Sequence, residues 1–186
     1  MAGRWDDNPS LQKDNHLLKM QEQFSAYYHS PLGLIRISGT EHYISEIHFM
    51  DDAPQAASPE QSPILPPSII LCMEQLIQYF HGQRKQFDVP LQQQGTAFQQ
   101  KVWNELLGIP FGKTIAYLEL ARRLGDVKVI RAAASANGKN SIAIIVPCHR
   151  VVGSNNDLVG YAGGLWRKKW LLEHEAKITY GIQTLF

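Results

Sequence analysis

Residues 114–137 read TIAYLELARRLGDVKVIRAAASAN, two short helical patterns joined by a glycine turn. The first pattern, Thr114–Leu124, is closed by Gly125. Asp126 then caps a second helix running from Val127 to about Asn137, with apolar Ile130 and Ala134 on one face. Two short helices across such a turn predict a helix-turn-helix, although many helical bundles share the pattern. Upstream, Thr96 caps a helix carrying Phe98, Val102, Trp103, Leu106 and Leu107, stopped by Gly108 and Pro110. Downstream, Ser141–Val146 is apolar and β-branched and predicts a buried strand or extended segment leading into Pro147-Cys148-His149-Arg150. A loop rich in Gly and Asn (153–164) precedes a last helix, Trp166–Ala176, which packs through Trp170, Leu171 and Leu172.

The N-terminal half has a different period. Phe24–His29, Leu32–Ser38 and Tyr43–Met50 alternate with period two, broken at Ser30-Pro31 and Gly39-Thr40, and predict a small antiparallel meander. Asp51 to Pro67 holds five prolines and reads as an exposed loop. Ser68 is the expected cap of an amphipathic helix with Ile69, Cys72, Met73, Leu76, Ile77 and Phe80 at helical spacing, ended by His81-Gly82. Phe87–Leu91 reads as a short strand. The polar hinge Gln92–Gly95 sets the division: a polar tail over 1–22, an α/β domain of sheet plus helix over 23–92, and a mainly α domain with the helix-turn-helix over 93–186.

The bulk charge of +1 conceals an asymmetry. From Thr96 onward there are 12 Lys+Arg against 6 Asp+Glu, a net +6, while residues 1–95 carry −5. The second half is therefore the candidate for a polyanion partner, although a solvated basic face fits the same count. No apolar run approaches the roughly 18 residues of a membrane span. The polar start lacks the pattern of a secretory signal, so an intracellular setting is expected: cytoplasmic, or nuclear in a eukaryote. Two cysteines, Cys72 and Cys148, are too few for a disulfide framework or a cysteine-rich zinc site. His29, His42, His48 and His81 are scattered, so no metal and no cofactor is expected.

Cys148 is the candidate nucleophile. A thiol attacks carbon as thiolate, and a neighbouring base or cation promotes that form. Pro147 can turn the chain and aim the cysteine. Cys148 and His149 can cooperate only if the tetrapeptide is a turn or helix start, since adjacent strand residues face apart. Cysteine beside histidine alone still favours an inert buried thiol, by about two to one.

The stretch Ile145-Val146-Pro147-Cys148-His149-Arg150-Val151-Val152 resembles the signature of the O6-alkylguanine-DNA alkyltransferases. Gly160-Tyr161-Ala162-Gly163-Gly164 and Lys169-Trp170-Leu171-Leu172-Glu173-His174-Glu175 fit as well. So do Phe98-Gln99-Gln100-Lys101-Val102-Trp103, Ile109-Pro110-Phe111-Gly112 and Ile115-Ala116-Tyr117. The likeness spans about residues 96 to 177, and a set of ordered motifs around one cysteine is far more specific than a lone motif. The N-terminal half matches in outline, as a small ribonuclease H-like domain.

The resemblance implies DNA repair by irreversible, single-use transfer of an alkyl group from O6-alkylguanine in double-stranded DNA to Cys148, with O4-alkylthymine left open. It makes His149 the base, acting through a water, Glu175 its orienter, and Asn140 part of the same chain of hydrogen bonds. Tyr117 would donate a proton to the departing guanine. Arg131 would fill the gap left by a base flipped out through the minor groove, with Tyr117, Ser135 and Ser154 as further DNA contacts. Val151, Val152, Tyr161, Ala162 and Gly163 would line the pocket. A monomer is expected. Two rivals remain: a helix-turn-helix module that binds damage or regulates without transfer, and a cysteine hydrolase whose base is a distant histidine such as His174.

Overall fold

The computed structural model describes residues 22–51, 62 and 64–181. Almost all of the expected polar tail and most of the proline-rich loop lie outside those residues. Strands β1 (Phe24–Ser30), β2 (Gly33–Gly39) and β3 (Ile44–Phe49) form an antiparallel sheet in the order β1-β2-β3. Ala26, Ile35, Ile37, Ile44 and Ile47 point inward from it, the burial expected of one face of an alternating sheet. Helix α1 (Pro67–Phe80) closes that face with Ile69, Cys72, Leu76 and Tyr79.

Helix α1 starts differently from expectation. Pro66 holds the N-cap position and Pro67 opens the helix, where a missing N–H costs nothing. The Ser68 hydroxyl donates instead to the Thr40 carbonyl at 2.6 Å, tying the helix to the sheet. Phe87–Leu91 forms no strand; Leu91 alone makes a bridge to Ile44.

Helix α2 (Ala97–Leu107) carries a capping box in which Thr96 and Gln99 satisfy each other's backbone N–H. A two-residue strand β4 (Ile115–Ala116) precedes helix α3 (Tyr117–Arg123). Gly125 turns the chain at φ 99°, a left-handed conformation that glycine adopts without strain. The second helix of the pair begins as a 3-10 turn, Val127–Val129, capped by Asp126, and continues as α4 (Ile130–Gly138). Its buried side is Ala133, Ala136 and Asn137, with Ile130 and Ala134 only half-buried. Small residues let α4 lie close to α2, where the Trp103 indole N–H donates to the Ala136 carbonyl at 2.9 Å.

The expected strand at Ser141–Val146 is a series of turns. Its only ladder contact among the described residues is Ile142 against Ile47: Ile47 N–H donates to Ser141 O at 2.8 Å, and Ala143 N–H to Ile47 O at 3.2 Å. Ile144 then adopts a positive φ of 72°. Asn140 explains the departure. Its side chain accepts from Ile142 N–H and donates to Val146 O, closing the loop on itself where a ladder would have run straight. The chain continues through a 3-10 turn, Cys148–Arg150, into β5 (Val151–Val152), which pairs in parallel with β4. A second 3-10 turn, Ser154–Asn156, and helix α5 (Leu165–Tyr180) complete the domain.

Candidate active site

Four segments converge on Cys148: the loop that Asn140 closes, the 3-10 turn itself, the 160–164 loop and α5. Because Cys148–Arg150 is a turn, consecutive residues need not face opposite sides. Cys148 Sγ meets Asn140 Nδ2 at 3.1 Å, while His149 reaches α5. Burial pushes the thiol pKa up, against a smaller pull from the Asn140 N–H and the Lys168 charge. The resting group is therefore the neutral thiol, and a base must remove its proton.

A candidate base is adjacent. His149 is wholly buried, and burial holds its pKa below the ordinary value despite Glu175, so it rests as neutral imidazole. Nε2 lies 2.8 Å from Glu175 Oε1. An ionised carboxylate can only accept, so Nε2 carries the hydrogen and Nδ1 presents its lone pair. Nδ1 is buried and has no hydrogen-bond partner among the described residues.

Glu175 is the hub. Its oxygens accept from Tyr79 Oη (2.9 Å), His149 Nε2, Gly112 N–H (2.8 Å) and the Arg150 guanidinium (2.9–3.2 Å). Burial pushes this carboxyl up, but His149 and Arg150 outweigh it and bring the pKa to about 2. With His149 neutral, Arg150 is the standing countercharge. The flanking cation thus serves the carboxylate rather than the thiol.

The Tyr117 hydroxyl accepts from Asn137 Nδ2 at 3.2 Å, and the same amide reaches Cys148 O at 3.3 Å. Burial and the nearby Cys148 raise the phenol pKa, so it stays protonated. A cavity of about 70 Å³ beside Cys148 is lined by Asn140, Ala143, Tyr161, Ala162 and Gly163. Val151 and Val152 are buried in β5 and do not line this cavity. A larger cleft, about 710 Å³, touches Pro147 and Arg150 but not Cys148. Arg131 and Ser135, one turn apart on α4, and Ser154 are all exposed.

Lys168 was not anticipated. It is fully buried, and its ammonium donates to Val151 O and Val159 O, both at 2.6 Å, holding the 153–164 loop against β5. Burial lowers its pKa to about 8. Its sequence signal is position: three and four residues before Leu171 and Leu172, and seven before Glu175, a lysine on the buried stripe of α5. Tyr79 and Asn137 also escaped notice. Among the described residues no group of three or more His, Cys, Asp or Glu could hold a metal ion, and no helix is long and apolar enough to cross a membrane.

A buried cysteine next to a buried His149–Glu175 pair, beside a helix-turn-helix, points to a class of DNA-binding proteins with a candidate reactive thiol. Comparison with known families names the class: residues 97–177 match "6-O-methylguanine DNA methyltransferase, DNA binding domain" and residues 24–93 match the same family's ribonuclease-like domain. The chain belongs to the 6-O-methylguanine DNA methyltransferase family. A methylated-DNA–protein-cysteine methyltransferase of Methanosarcina acetivorans is 42% identical over 152 residues, covering 82% of this chain and 97% of that protein. The Mycobacterium tuberculosis protein of the same name is 40% identical over 157 residues, covering 84% and 94%. A crystal structure of the M. tuberculosis O6-methylguanine methyltransferase superposes with TM-score 0.75 at 37% identity, covering 87% of this chain and 97% of that one. One solved in complex with DNA gives 0.72 at 39%, covering 82% and 92%.

Proposed function

We propose that this protein repairs DNA by taking the methyl group of O6-methylguanine onto Cys148, once per molecule. The observation that carries the assignment is the buried His149–Glu175 pair, His149 standing next to Cys148 in one 3-10 turn, with neutral imidazole and an Nδ1 that has no partner among the described residues and is left to act as a base. The His149 Nδ1 lone pair takes the Cys148 proton through a water, Glu175 steadies the resulting imidazolium, and Asn140 N–H stabilises the thiolate sulfur. Sulfur then attacks the methyl carbon: an S–C bond forms and the O6–C bond breaks. The phenol of Tyr117 supplies a proton to the departing guanine, which would otherwise leave as an anion. The thioether product is a poor leaving group, so nothing returns the cysteine.

The base must leave the duplex to reach a buried thiol, at a cost of a few kcal/mol. Arg131 on the exposed face of α4 suits the vacated stack, with Ser135, Tyr117 and Ser154 as further contacts to the duplex in the minor groove. Other O6-alkyl groups are substrates as far as the pocket admits them. The substrate implies a DNA-containing compartment. No step requires a cofactor. In Cys148→Ser, binding to O6-methylguanine duplex should persist while methyl transfer disappears. Transfer by that variant would remove Cys148 from the mechanism.

A further inference from the structure

The cavity beside Cys148 is not built by the C-terminal domain alone. Ile47, His48, Phe49 and Asp51, all at the end of β3 and its exit, form its remaining wall. Phe49 is the large side chain on that wall, and it is held in place. The Arg167 guanidinium lies over the Phe49 ring at 4.4 Å from its centre and over the Trp166 ring at 4.5 Å. It also donates to Leu32 O, Gly163 O and the Asp51 carboxylate, joining the β1–β2 turn, the 160–164 loop and the end of β3. A Cβ at Gly163 would come within 2.7 Å of Phe49 and 2.9 Å of Tyr161. Ring, loop and guanidinium are packed with no slack.

At about 70 Å³ the space beside the thiol is far below the roughly 300–1,000 Å³ of pockets that enclose drug-sized ligands. We propose that Phe49 of the N-terminal domain, clamped by Arg167, is the outer wall of the alkyl subsite and sets the largest O6-alkyl group the protein removes. The preferred substrates are then small, unbranched O6-alkylguanines, and a benzyl group meets Phe49. This rests on Cys148 being the acceptor. It gives the N-terminal domain a part in specificity, distinct from its part in folding.

Discrimination by one methylene in an apolar pocket is about 10–200-fold, so removing a whole ring from the wall should be read easily. Single-turnover transfer to Cys148 is measured by peptide mass from oligonucleotides carrying O6-methylguanine or O6-benzylguanine. In Phe49→Ala the ratio of benzyl to methyl rates should rise at least tenfold over the parent, and in Phe49→Leu severalfold. Phe49→Leu keeps an apolar side chain at the domain seam and carries the comparison if the alanine variant does not fold. A ratio unchanged in a folded variant would overturn the proposal and leave the size limit to Ala143 and Tyr161. If the parent labels Cys148 with neither oligonucleotide, the fault lies with the acceptor assignment instead.

Discussion

His149 Nε2 and Glu175 Oε1 lie 2.8 Å apart with both side chains fully buried, 26 residues distant in the chain. The pair fixes the imidazole tautomer, and through it which nitrogen can act on the thiol. Because Arg150 shares the same carboxylate, the arrangement carries stability as well as chemistry.

Glu175→Gln keeps the shape and removes the charge. It leaves Arg150 buried without its countercharge, a loss of about 3–5 kcal/mol when one partner of a buried pair is removed. Urea unfolding checks this; a loss under about 1 kcal/mol would count against the hub. The pH dependence follows the same residues. Burial depresses the His149 pKa, so below about pH 6.5 the unfolded chain binds a proton that the folded chain refuses, and stability falls as pH drops. Glu175, held at about 2, adds a loss of the same sign that begins as pH falls into the ordinary carboxylate range and continues to about pH 2. The low-pH portion should vanish in Glu175→Gln.

Tyr117→Phe removes the phenol hydroxyl, the side chain's one acidic proton, while keeping the ring's packing. Single-turnover transfer at saturating DNA should slow about 100-fold or more, the usual contribution of a positioned acid. A rate within twofold of the parent would exclude the phenol as the proton source.

Arg131→Ala should separate two substrates. Only the duplex requires extrusion of the base, so the ratio of duplex rate to free O6-alkylguanine rate should fall about tenfold or more, a change of about 1.4 kcal/mol. Equal losses on both would mean that Arg131 serves the fold.

Lys168→Met keeps the buried stem and removes the donors to Val151 O and Val159 O. Unpaired buried carbonyls cost about 1–3 kcal/mol, and the 153–164 loop should lose protection from hydrogen exchange. Unaltered exchange in that loop would show that Lys168 does not hold it.

The sequence made the local features plain and left the long-range ones obscure. The strands β1–β3 followed from alternation, and the Thr96 cap from a threonine ahead of an apolar run at helical spacing; its partner Gln99 did not. The glycine turn before α4, where Gly125 has φ 99°, was legible too. Ser68 misled because its hydroxyl has a partner 28 residues away, Thr40 O, and two prolines can start a helix without it. Ser141–Val146 misled because composition cannot reveal that the Asn140 side chain takes over the backbone bonds of a strand. Adjacency made Cys148 and His149 candidates but left an inert buried thiol ahead; the family resemblance raised both and added Glu175. Tyr79, Asn137, Lys168 and the Phe49 wall depend on tertiary contacts that no local period records. Two of them, Tyr79 and Lys168, are polar groups on otherwise buried helix faces, which is the sign to look for.

The most direct test of the central claim is the mass of the Cys148 peptide after the protein is incubated with duplex DNA containing O6-methylguanine. One methyl group should be added to Cys148, stoichiometric with guanine restored, with no further repair when fresh substrate is supplied. Restored guanine with an unmodified Cys148, or repeated turnover by one protein molecule, would contradict that claim.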